Sequence, residues 1–68
     1  MLDRHLLRSF FGWLDSAQLP ELLEKRTVLE IAMQGFREPE ARRDARFLLK
    51  HLNREIVERQ LFGRLNET

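Results

Sequence analysis

The feature that most constrains this chain is the stretch from Glu38 to about Leu65, EPEARRDARFLLKHLNREIVERQLFGRL, whose single proline sits where a helix begins. Ala41, Ala45, Leu48, Leu49, Leu52 and Ile56 recur there at helical spacing, which places them on one stripe of an α-helix. Arg42, Arg43, Arg46, Lys50 and Arg54 fall on the opposite side. Toward the C-terminal end a second apolar set, Val57, Leu61 and Leu65, is displaced from the first stripe and runs roughly in line with the basic one. A helix with two apolar sides has more than one neighbour to satisfy.

Pro39 fits a first helical position, where its fixed φ and missing N–H cost nothing, so the helix is expected over 39–63 with Gly63 as its stop and a frayed tail behind it. Two shorter periodic blocks precede it. Leu2, Leu6, Phe10, Trp13 and Leu14 share one face of a helix over about 2–15, widened by Leu7 and Phe11 and opposed by Arg4, His5 and Arg8. Gly12 weakens that helix interior and is expected to admit the close approach of another backbone. Asp15 and Ser16 read as cap-type residues in a connection, after which Pro20 opens a helix over about 20–35 ended by Gly35. Its Leu19, Leu22, Leu29, Met33 and Phe36 line one face, Arg26 is placed to pair with Glu30, and Val28 and Ile31 point elsewhere. The expected fold is all-α, a single small domain of about three helices joined by short turns.

With 68 residues and no cysteine, the chain has neither disulfides nor thiolate metal sites to supplement its core. An ordering entropy of ~1.5 kcal/mol per residue roughly cancels what a core of this size supplies. Association with a second copy is the cheapest further source of buried area, so a helical bundle completed by homodimerisation is expected. Phe47, Val57, Leu61, Phe62 and Leu65 are the candidate dimer or partner interface, with Phe11 and Val28 as outlying members.

The inventory for catalysis is thin. His5 and His51 lie far apart and at no metal-ligand spacing, and Ser9 beside His5 lacks a third member. His51, at the margin of the apolar stripe, reads as a partly buried structural histidine. No glycine-rich phosphate loop is present. No enzyme, no cofactor and no metal are expected, and a non-enzymatic adaptor or regulator working through helix–helix contacts is the leading expectation.

The alternative is a small nucleic-acid-binding regulator using Arg42, Arg43, Arg46, Lys50 and Arg54 to track phosphates. A net charge of +1 is small for that task, and a solvated face, or ion pairing with Glu21 and Glu24 of a neighbouring helix, would explain the basic row equally well. A third possibility is membrane-surface attachment through the aromatic first helix, although a bundle also needs those aromatics for its core. No apolar run approaches the ~20 residues of a membrane span. Asp3, Arg4, His5 and Arg8 interrupt any signal-peptide core, so a cytoplasmic protein is expected.

Overall fold

Asp3 begins the first helix as its N-cap: its backbone is extended and its Oδ1 accepts from the His5 N–H at 3.0 Å. Satisfying one of the orphan donors of the first turn in this way fixes where the helix starts. The computed structural model describes the backbone of residues 3–66 and the side chains of residues 3–62. Within it α1 spans Arg4–Ser16, α2 Leu19–Gln34 and α3 Pro39–Asn66, and the fold is all-α. Leu2, expected at the start of α1, lies outside the described residues.

Two boundaries differ from expectation. Asp15 and Ser16 are not a connection but the last residues of α1, with Ser16 Oγ donating back to the carbonyls of Gly12 at 3.2 Å and Trp13 at 3.4 Å. The serine hydroxyl is thus taken up by the preceding turn and does not cap α2, whose N-cap is Gln18. Only Ala17 and Gln18 separate α1 from α2, and Gln18 makes no side-chain cap, so Pro20 and Glu21 in the first turn set that start. At the far end α3 continues through Gly63 to Asn66. Glycine costs a helix interior about 1 kcal/mol, which strong helix formers on both sides, among them Gln60, Leu61, Arg64 and Leu65, offset by propagation.

Gly35 does end α2, though in a right-handed conformation (φ −87°, ψ −9°). Its N–H donates to Ala32 O at 3.0 Å and that of Phe36 to Met33 O at 3.2 Å, a tightened last turn before the chain reverses. α2 and α3 form the most closely packed pair, and Arg26 Nη1 reaches across their seam to Asn53 Oδ1 at 3.5 Å. The expected Arg26–Glu30 pair is present at 3.8 Å.

The core lies where all three helices meet. Leu22 and Leu52 are wholly buried and Ile56 nearly so, joined by Leu14 and Ala17 and flanked by Phe10, Trp13, Leu19, Leu23 and Leu29. Ala45 and Leu49 continue the buried stripe of α3. The molecule measures 46 × 24 × 14 Å, and its long axis matches a 28-residue helix of about 42 Å. Its radius of gyration is 13.3 Å, against about 11 Å for a compact chain of this length. The fold is therefore elongated and rich in surface.

Gly12 does not admit a neighbouring backbone: a Cβ built there meets nothing within 4 Å, and the residue faces solvent. Gly12→Ala is accordingly expected to stabilise the protein by about 0.5–1 kcal/mol, the difference in helix propensity at an open site. Urea unfolding followed by circular dichroism checks this, and a lower midpoint for the variant would contradict it.

Candidate functional site

α3 presents one exposed stripe that changes character along its length. Lys50, Arg54, Val57 and Leu61 recur at i, i+4, i+7 and i+11, so the basic row and the second apolar set lie end to end on the same side. Arg42, Arg43, Arg46, Lys50 and Arg54 are all exposed. Beyond them Val57 (52% exposed) and Leu61 (56%) continue the stripe, and Phe62 (62%) is exposed about 100° around the helix from Leu61. Leu65 lies outside the residues whose side chains are described.

Phe47 is 40% exposed and packs against two other rings. Its ring stands edge-on to His51 at 4.6 Å and to Phe11 at 6.5 Å, and Phe11 meets His51 at 5.1 Å. These three rings join α1 to α3, and His51 is partly buried, as its position at the margin of the stripe implied. Val28 and Ile31 are exposed on α2, away from its buried Leu22.

Among the described residues no ion pair joins the basic row to Glu21 or Glu24 of α2. Arg54 Nε instead meets Glu58 Oε1 on its own helix at 3.4 Å, while Glu21 and Glu24 line a shallow hollow with Trp13, Lys25 and Val28. The reason is placement: the first turn of α2 is turned toward α1, not toward the outer side of α3.

Two features were not anticipated. The first is Arg59, whose guanidinium reaches from α3 to the end of α1. Nη2 donates to Leu14 O at 2.8 Å and Asp15 O at 3.2 Å, Nη1 donates to Ala17 O, and Nε donates to Glu55 Oε1 at 3.0 Å. The signal was a cation in register with the buried stripe, three residues after Ile56 and seven after Leu52. The second is a groove of about 360 Å³ between the helices, walled by Leu6, Phe10 and Trp13 of α1 and by Leu29 of α2, with Leu48 of α3. Ser9 and Lys25 are its polar members, and the Lys25 ammonium stands over the Trp13 ring, 5.4 Å from its centroid.

Among the described residues no group of three or more His, Asp or Glu side chains is placed to hold a metal ion, and no described helix is long and apolar enough to cross a membrane. His5 is exposed on α1. Comparison with known proteins leaves these surfaces to speak for themselves: no family model matches the chain, and no curated protein or solved structure is similar to it.

Proposed function

We propose that this chain is a non-enzymatic helical adaptor or regulator of the cytoplasm that acts through helix–helix contacts and assembles as a homodimer. The observation that carries this reading is the exposed apolar end of α3, where Val57 and Leu61 share one stripe and Phe62 adjoins it, all three more than half exposed. Apolar side chains grouped on one helix face mark an interaction surface more often than scattered ones do. A second copy supplies matching chemistry, since two such patches brought together are self-complementary about a two-fold axis. The elongated shape leaves the patch uncovered by the chain's own helices.

Sedimentation equilibrium at several concentrations tests the assembly. The parent chain is expected to sediment as a dimer that dissociates on dilution, and Leu61→Glu to sediment as a monomer with its helical circular dichroism intact. A parent chain that stays monomeric at high micromolar concentration would remove the homodimer from this reading.

A second reading rests on the five exposed cations of α3, which stand on the solvent side of one helix and suit phosphate contacts. Titration of labelled duplex DNA and RNA at low and moderate salt distinguishes it. Salt-sensitive binding lost in an Arg46→Ala, Lys50→Ala variant would favour the nucleic-acid reading over the adaptor.

A further inference from the structure

We infer that the groove between α1 and α2 is a binding site for a small amphipathic monocarboxylate, a free acid with an aliphatic or aryl tail. Leu6, Phe10 and Trp13 follow one another at i, i+4 and i+7, so the apolar wall is about 10 Å long, two turns of helix. Leu29 faces it from α2, and Leu48 of α3 completes the lining. The volume of about 360 Å³ falls within the range of small-molecule clefts, as does the composition, mostly apolar with a few convergent polar groups.

The charge of the ligand follows from Lys25. Among the described residues it is the one charged side chain lining the groove and enters no ion pair, its contact being with the face of Trp13. Glu21 and Glu24 line the neighbouring hollow that shares Trp13 and Lys25, and no carboxylate is among the described residues of the groove itself. With the tail along the α1 wall, the anionic head is left to the polar side chains of the described lining, Lys25 and Ser9. The site is distinct from the α3 patch proposed for self-association, so the two stand or fall separately.

Trp13 is the only tryptophan of the chain and lies in the groove wall, so its fluorescence reports occupancy directly. Octanoate is expected to produce a saturable change in Trp13 emission and to bind roughly five-fold more tightly than octan-1-ol, the gain of one partly exposed ion pair. Raising the salt concentration should erode that difference by screening the octanoate complex and leaving the alcohol unaffected. In Lys25→Gln, a change at an exposed position, octanoate should fall to the affinity of the alcohol, whereas Leu61→Glu should bind octanoate as the parent does. Equal affinity for octanoate and octan-1-ol in the parent chain would overturn the assignment. So would the absence of a saturable response, including the case in which Trp13 emission follows protein concentration because a second copy fills the groove.

Discussion

Leu52→Ala is expected to lower the unfolding free energy by about 2–5 kcal/mol, the range for emptying a fully buried leucine site. Leu52 has no exposed surface and packs in one cluster with Leu14, Ala17, Leu22 and Ile56, the point where the three helices converge. None of its neighbours is free to collapse into the space, because Leu14 belongs to α1, Ala17 to the link that follows it, Leu22 to α2 and Ile56 to α3 itself. Stabilities of roughly 0.05–0.15 kcal/mol per residue give a chain of this size only about 3–10 kcal/mol in total. The substitution therefore removes a large share of the stability, and at physiological temperature a sizeable fraction of the variant should be unfolded.

Urea denaturation followed by circular dichroism measures this loss, and Leu61→Ala serves as its counterpart. Leu61 is exposed, so its truncation should cost under about 0.5 kcal/mol in the isolated chain. If the α3 patch joins two copies, the cost at Leu61 grows with protein concentration by mass action, whereas the cost at Leu52 is present at every concentration. A loss at Leu52 below about 1 kcal/mol would mean that the three-helix junction is not the core.

The contrast between these two leucines also shows what sequence periodicity can resolve. Ala45, Leu49, Leu52 and Ile56 were legible as a buried stripe because a helix long enough to repeat its pattern four times leaves little choice of face. Pro39 and Pro20 marked helix starts for a local steric reason that no tertiary contact overrides. Val57, Leu61, Val28 and Ile31 were legible as surplus apolar side chains, and all four are exposed. Ser16 and Gly63 were misjudged because each residue type serves two roles. A serine can cap or back-bond, and a glycine can stop a helix or be carried within one, and the choice depends on the neighbouring turn. The groove and the direction of Glu21 and Glu24 were not legible at all. They depend on how α1 lies across the α2–α3 pair, which follows from contacts between segments and not from any period within one.

Arg59 is where such a contact has the largest consequence after the core itself, and Arg59→Ala is expected to cost about 2 kcal/mol, within the range for hydrogen bonds made by a charged group. The last carbonyls of a helix have no partner within it, and here those of Leu14 and Asp15, with Ala17 at the C-cap, all accept from one guanidinium. A cation at a helix C-terminus also complements the negative end of the helix dipole. Glu55, one turn earlier on α3, holds the Nε edge and leaves the two Nη groups aimed at α1. Three-quarters of the Arg59 side chain is shielded from solvent, which separates it from an ordinary surface ion pair. Arg54, paired with Glu58 at the same spacing but 76% exposed, supplies the control: Arg54→Ala should change stability by less than about 0.5 kcal/mol. Arg59→Lys should recover only part of the loss, because an ammonium keeps the charge but cannot span several acceptors as a planar fork does. For a domain of this size a 2 kcal/mol loss corresponds to a melting temperature lower by roughly 8–16 °C. Hydrogen exchange should locate the damage in α1, whose amides lose protection before those of α2 and α3, since the α2–α3 pair keeps its own seam when the Arg59 tie is cut. Equal thermal shifts for the Arg54 and Arg59 variants would show that the tie between α1 and α3 contributes nothing beyond a solvated charge pair.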